Sequence, residues 1–373
     1  MLDHGKIQSS QLACMIYLST LATSMILAAQ FAYIQAKTDM WLSPALASVT
    51  AFYLIAILFY MHRLFPGRSL VQYSEELLGV YAGKAVGFII LLVMLLMNAN
   101  QTRLFGEVMS AYFFRETPPL VINLSLILVC AIAVRSGIEV VGRLAQLCTP
   151  IIVILMLIFF LPFLSEIEFD RLLPMLQQGI VPVLRSSVYL QVWFPMYIFM
   201  TFFLPYVSDI GKARKHGFIA VCATTASLTG MMLLVLLILD QSTSLFSHPF
   251  MILARYVEAF DFIEQFDVFL MIFWVLDVLI RTTVILSATC LAVAQWLRLS
   301  AYKPLAFPLS SLTLAISGWG TPRVMDYNQS GNYIMFIYII GFLLIPTLLF
   351  LVSLFRKPHS ATSDSAQATA DSG

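Results

Sequence analysis

Four charged residues sit inside apolar stretches of the chain, in two pairs: Arg103 with Glu107, and Asp277 with Arg281. Each pair is spaced i, i+4, which puts both members on one helix face, where they can neutralise each other. A charge among apolar side chains costs roughly 2.5–3.5 kcal/mol on insertion scales and is functional by default. Two chemistries fit: a self-paired strut, or the lining of a water-filled path. Asp277 and Arg281 lie deeper in their stretch and suit the second better. Two further runs carry groups for a small zwitterion. One is Thr20-Leu21-Ala22-Thr23-Ser24, where Ala22, Thr23 and Ser24 offer backbone and hydroxyl groups. The other follows Trp193, where Phe194, Met196 and Tyr197 offer apolar walls and one phenol. Between them Pro195 removes a backbone N–H and clashes with the preceding turn. The competing reading makes Pro195 a structural kink and the small-residue run a helix-packing face.

No catalytic residues emerge, since HExxH, GxSxG and paired external carboxylates are all absent from the sequence. Gly83-Lys84 lacks the earlier glycine and the following Ser or Thr of a phosphate loop; Gly79, Gly83 and Gly87 read instead as close helix packing. Cys14, Cys130, Cys148, Cys222 and Cys290 form no CxxC and sit in or beside apolar runs, so they read as reduced core residues. The five histidines have no metal-ligand spacing. No enzyme, metal or cofactor is expected.

The elements that must position these groups follow from composition. Of 373 residues, 60% are hydrophobic and 11% charged, and mean hydropathy is +0.89. A soluble domain carries about 25% charged residues, so this is a polytopic membrane protein. The formal net charge of +1 gives no basic face for nucleic acid. A span needs about 20 apolar residues. Ten candidates occur, at about 11–34, 42–62, 83–113, 119–136, 144–165, 185–206, 217–239, 267–297, 305–320 and 333–356. Together they make one transmembrane domain over 1–357; residues 358–373, rich in Ser, Ala, Thr and Asp, read as a disordered tail. With ten spans both ends share a side. That side holds Lys6, Arg63, Arg68, Arg135, Arg143, Lys212, Arg214, Lys215, Arg298, Lys303, Arg356 and Lys357, against Lys37, Arg115, Arg171, Arg255 and Arg323 opposite, with Arg185 at the edge. The termini are therefore expected in the cytoplasm. The external connection at about 240–266 should include a surface helix. Polar interruptions in spans 1 and 6, one per half, predict an all-α five-plus-five inverted repeat with both spans broken at the midplane. Asn98 and Gln101 give span 3 a polar stripe, read as interhelical hydrogen bonding.

A family resemblance rests on strings that occur in order along the chain: Phe65-Pro66-Gly67-Arg68-Ser69-Leu70; Arg103-Leu104-Phe105-Gly106-Glu107; Arg135-Ser136-Gly137-Ile138-Glu139-Val140; Leu172-Leu173-Pro174-Met175-Leu176-Gln177-Gln178-Gly179; and His248-Pro249-Phe250. Together they resemble the endospore germination permeases, the B subunits of Ger-type nutrient germinant receptors, in the amino acid–polyamine–organocation superfamily. The chain departs from the family pattern at Ala22-Thr23 and Ala29 in span 1, and at Met196-Tyr197 in span 6, where small or acidic residues are usual.

The resemblance implies a LeuT-type fold and a multi-pass protein of the spore inner membrane. It implies a receptor subunit that binds a small germinant, an amino acid, where spans 1 and 6 break. Its partners would be a large membrane-anchored subunit, a lipoprotein subunit and membrane lipid. Two alternatives stay open: a secondary amino acid transporter, and a structural subunit whose pocket has degenerated. Met196 and Tyr197 imply a tight pocket for a small or apolar side chain.

Overall fold

The computed structural model describes residues 5–258, 266–319 and 327–355. These residues are all but entirely helical, as they must be where lipid offers no partner for backbone N–H and C=O groups. The α-helices in chain order are α1 (Ser9–Ala36), α2 (Ser43–Leu64), α3 (Leu70–Leu78), α4 (Val80–Tyr112), α5 (Pro119–Ser136), α6 (Ile138–Phe160), α7 (Val181–Tyr189), α8 (Met200–Phe203), α9 (Ile210–Leu239), α10 (Pro249–Glu258), α11 (Asp267–Trp296), α12 (Ala306–Trp319), α13 (Tyr327–Ile339) and α14 (Ile345–Phe355). Eight stretches among the described residues are long and apolar enough to cross a membrane. The first, Thr23–Leu64, joins parts of two predicted spans through a 3-10 turn at Lys37–Leu42. The predicted ninth span corresponds to α12, which has 14 residues. Helix α10 supplies the helix expected after the seventh span. The predicted tail and Arg323 lie outside the described residues.

Packing between spans obeys an exchange of halves. Span 1 (α1) packs on span 7 (α9), as span 6 packs on span 2 (α2). Span 1 contacts span 5 (α6), as span 6 contacts span 10 (α13). Span 8 (α11) contacts span 4 (α5), as span 3 (α4) contacts span 9 (α12). Renumbering by five therefore maps the members of these three pairings onto one another. Because five is odd, the two halves cross in opposite senses, which is the inverted repeat expected from the two interruptions. Span 6 and α11 are the most enclosed spans. Leu124, Leu128, Leu147, Ile154 and Leu157 on α5 and α6 point outward, as lipid-facing side chains do.

The predicted break in span 1 is absent, whereas that in span 6 is present. Ser9–Ala36 contains no Gly or Pro to interrupt the backbone ladder. Its hydroxyls return to the helix: Ser19 donates to Met15 O (2.6 Å), Thr20 to Ile16 O (2.9 Å), and Ser24 to Thr20 O and Leu21 O (2.8 and 2.7 Å). In span 6, α7 ends at Tyr189 and the chain continues as 3-10 turns over Leu190–Val192 and Phe194–Phe199, with Pro195 near the start of the second. Span 10 is wound the other way at one point, with a π turn at Ile340–Leu344 between α13 and α14. Phe199 and Phe342 bring the two irregular segments together, their ring centroids 5.2 Å apart.

The quoted sequence strings turn out to shape the ends of helices. Gly67 takes φ 73°, and Ser69 caps α3 in a reciprocal box with Gln72. A Cβ on Gly83 would meet the backbone of Glu75, so only glycine lets α3 lie this close to α4.

Candidate ligand-binding site

A cavity of about 300 Å³ opens beside α1, between spans 1 and 3 of one half and spans 6 and 10 of the other. It runs from Thr23, midway along α1, to Gln35 near its end, 12 residues or roughly 18 Å at 1.5 Å per residue. The volume stands at the low end of the range for small-molecule pockets. Leu27, Phe31, Met97 and Leu104 make an apolar wall. The polar groups gather near the floor. Thr23 Oγ1 donates to Gln101 Oε1, and Asn100 Nδ2 donates to Tyr338 Oη at 3.0 Å. Trp193 and Arg281 complete the lining there, each only 3% exposed.

Of the residues singled out in the sequence, Thr23 and Arg281 meet at this cavity. Gln101 lines it as well, whereas Ser24, Phe194, Pro195, Met196, Tyr197, Arg103, Glu107 and Asp277 do not. Ser24 is committed to carbonyls of its own helix. Ala22 lies in α1, and its side chain is outside the described residues. Phe194, Pro195, Met196 and Tyr197 are buried in the core, and Tyr197 Oη bonds Thr224 Oγ1 of α9 at 2.9 Å. The 3-10 winding explains this. At three residues per turn, the segment after Trp193 rotates out of phase with α7 and presents Phe194–Tyr197 to α2 and the core, leaving Tyr189, Val192 and Trp193 on the cavity. The expected zwitterion contacts from the span 1 and span 6 breaks are replaced by contacts one turn earlier in span 6 and by groups of spans 3 and 10. Gln101 was visible in the sequence as a polar stripe; Trp193 and Tyr338 gave no signal beyond their aromatic character.

The two charge pairs differ. Arg103 Nε donates to Glu107 Oε1 at 2.7 Å, and Arg103 Nη1 reaches Ser317 O of α12 at 3.4 Å. That pair is a strut tying span 3 to span 9. Asp277 is wholly buried, and neither of its oxygens has a hydrogen-bond partner among the described residues. The expected self-pairing with Arg281 is therefore not made at hydrogen-bonding distance; Arg281 turns to the cavity.

Toward the N-terminal end of α1 the protein is closed. Ile7 N–H donates to Tyr206 O (3.0 Å) and Ser208 N–H to Ile7 O (2.9 Å), a short parallel bridge between the N-terminal segment and the end of span 6. Ser9 N–H and Oγ–H donate to the two carboxylate oxygens of Asp209 at 2.7 and 2.6 Å. With that hydroxyl proton committed, His216 Nδ1, 2.6 Å from Ser9 Oγ, is the donor to it. The Ser9 hydrogen bonds hold the Asp209 carboxyl below its ordinary range. Lys6 N–H donates to Glu139 Oε1 (3.0 Å), so the Arg135–Val140 string anchors the same segment.

A family profile described as "Spore germination protein" matches residues 6–323. The chain belongs to the spore germination permease family. Spore germination protein KB of Bacillus subtilis (strain 168) is 24% identical over 374 residues, covering 98% of this chain and 100% of that protein. Spore germination protein YndE of the same organism is 24% identical over 334 residues, covering 86% of this chain and 88% of the relative. Among solved structures, MhsT in complex with L-phenylalanine superposes with a TM-score of 0.70 at 13% identity, over 94% of this chain and 90% of MhsT. Mhp1, a nucleobase-cation-symport-1 family transporter with bound bromovinylhydantoin, gives 0.65 at 10% identity, over 95% and 84%. These germination permease and transporter likenesses establish a LeuT-type fold in a multi-pass membrane protein.

Proposed function

We propose that this germination permease is the integral-membrane subunit of a spore nutrient germinant receptor. It binds a small germinant, an amino acid, in the cavity between spans 1, 3, 6 and 10 and passes a conformational change to partner subunits of the spore inner membrane. The observation that carries this reading is the cavity itself: mid-span, built by both halves of the repeat, and running from Thr23 to Ile34 and Gln35. A ligand spanning both halves shifts their equilibrium by its difference in affinity for the two arrangements. The positive-inside distribution supports a cytoplasmic latch and an external cavity mouth.

Binding of the twenty labelled amino acids to the full chain in lipid nanodiscs tests this. At least one should bind, and Leu27→Trp, which fills the cavity, should abolish that binding at normal abundance. Failure of all twenty would favour a structural subunit. The fold likeness to transporters supports a second reading, secondary amino acid transport. Ligand-dependent accumulation of label in proteoliposomes would favour it over a receptor.

A further inference from the structure

We propose that the cytoplasmic end of α9 holds one anionic phospholipid, its phosphate between Arg214 and Lys215 and an acyl chain along the same helix. The site is separate from the cavity between spans 1, 3, 6 and 10. A shallow groove of about 510 Å³ follows α9, lined by Gly211, Arg214, Lys215, Phe218, Ile219 and Cys222. It covers roughly 16 Å of helix at 1.5 Å per residue. The two charges stand at the end where α9 begins, and beyond them the lining is apolar. Lys215, Ile219, Cys222 and Ala226 recur at i, i+4, i+7 and i+11, and all four are exposed. One face of α9 therefore passes from charge to an apolar stripe, with Ile219 53% exposed. A phospholipid presents the same order of groups, headgroup and then chain.

The cations of this groove are not spent on carboxylates. Other basic residues expected on the same side are paired: Arg68 with Glu76, Arg143 with Glu139, and Arg298 with Glu75. Lys212 is drawn toward Asp209. Arg214 and Lys215 make no ion pair among the described residues. Arg214 instead lies over the Phe218 ring at 5.4 Å, and that ring packs edge-on against Phe52 of α2 with centroids 5.5 Å apart. The stack holds a planar guanidinium at the groove, and a guanidinium fork matches phosphate oxygens. None of the described residues lining the groove is acidic. A headgroup with net negative charge meets two cations there, whereas a zwitterionic one also brings an ammonium against them. Asp209 and His216, which hold the latch to Ser9, flank the basic pair in sequence, so the lipid grips the same end of α9.

The test uses the full chain in neutral detergent and native mass spectrometry. The probes are dioleoyl phosphatidylglycerol, dioleoyl phosphatidylethanolamine and sn-glycerol 3-phosphate. One phosphatidylglycerol should bind in preference to phosphatidylethanolamine. Arg214→Gln and Lys215→Gln should each weaken its binding about fivefold, and together about 30-fold, with phosphatidylethanolamine unaffected. Arg143→Gln removes an exposed cation from the same side and should change nothing. Gly211→Trp, whose side chain enters open space, should block the groove with both charges in place; this keeps the test decisive where Arg214→Gln disturbs the packing of Phe218. Equal losses in Arg143→Gln and Lys215→Gln would reduce the site to general surface charge and overturn it. Equal affinity for the two lipids, or full binding in Gly211→Trp, would overturn it as well. Competition by sn-glycerol 3-phosphate at the concentration of the lipid would replace the phospholipid with a soluble phosphate.

Discussion

The Ser9–Asp209 latch can be opened by a single atom exchange. Asp209→Asn preserves shape but replaces one carboxylate oxygen by an NH2 group, which faces the Ser9 donors. One of the two bonds, at 2.7 and 2.6 Å, is then lost. Bonds to charged acceptors contribute roughly 1.5–3 kcal/mol, and Asp209 is only half-buried, so the lower end applies. A loss of about 1.5 kcal/mol multiplies the opening equilibrium by about ten; Asp209→Ala, which removes both bonds, gives about a hundredfold. Amide hydrogen exchange followed by mass spectrometry in nanodiscs reads this directly. Peptides covering Ile7 and Ser9 should exchange about tenfold faster in Asp209→Asn, while those covering Leu70–Leu78 stay as in the wild type. The effect has a defined pH window. The carboxyl is held below its ordinary 3.8, so the latch contributes fully above that value and is lost only as pH falls through the lowered one. Between pH 5 and 8 the difference between variant and wild type should be constant once intrinsic exchange is corrected. Equal rates in both proteins, or acceleration spread over the whole chain, would refute the assignment of the latch.

His248 sits buried edge-on to Tyr112, and burial pushes its imidazole down to about 4. The folded state keeps it neutral, so its contribution to stability is full above the ordinary 6.5 and is lost as pH falls from there toward 4; His248→Phe should flatten the Tm profile over that interval relative to wild type. Tyr197→Phe leaves Thr224 Oγ1 buried without its partner and should cost about 1–3 kcal/mol of stability while ligand affinity stays unchanged; a shift in affinity would return the site to the span 6 break. Cysteines introduced by Ser242→Cys and Ser360→Cys should label from opposite sides of the membrane, and labelling of both from one side would sink the proposed topology.

What the sequence made legible was governed by local rules. Apolar run length fixes helices, and glycines at Gly67, Gly83 and Gly137 mark sharp turns and close approaches, so the string around Arg135–Val140 announces a helix junction before any coordinate is known. Pro195 announced an interruption. Its winding was not legible, because whether a proline yields a kink or several 3-10 turns depends on packing against α2 and span 10. For the same reason the residues just after it were assigned to the pocket, although the ones just before it line the cavity. Span 1 misled in the other direction. Its polar run looked like a break, yet serine and threonine can satisfy themselves on the preceding turn, an option that composition does not distinguish from an opening. That Thr23, Gln101 and Arg281 line one cavity was beyond reach because they share no sequence neighbourhood; only the fold brings them together.

The overwound segment of span 6 has a mechanical consequence. A 3-10 turn rises about 2.0 Å per residue and an α-helix 1.5 Å. The nine residues of Leu190–Val192 and Phe194–Phe199 are therefore stretched by about 4.5 Å relative to an α-helix of the same sequence. Pro195 keeps that stretch in place: it has no N–H to give an i, i+4 bond, and its ring would clash with the carbonyl of Gln191 in a rewound segment. The π turn of span 10 lies against this segment through Phe342 and Phe199. Span 6 is thus a spacer of fixed length, and its end at Tyr189, Val192 and Trp193 is the cavity wall.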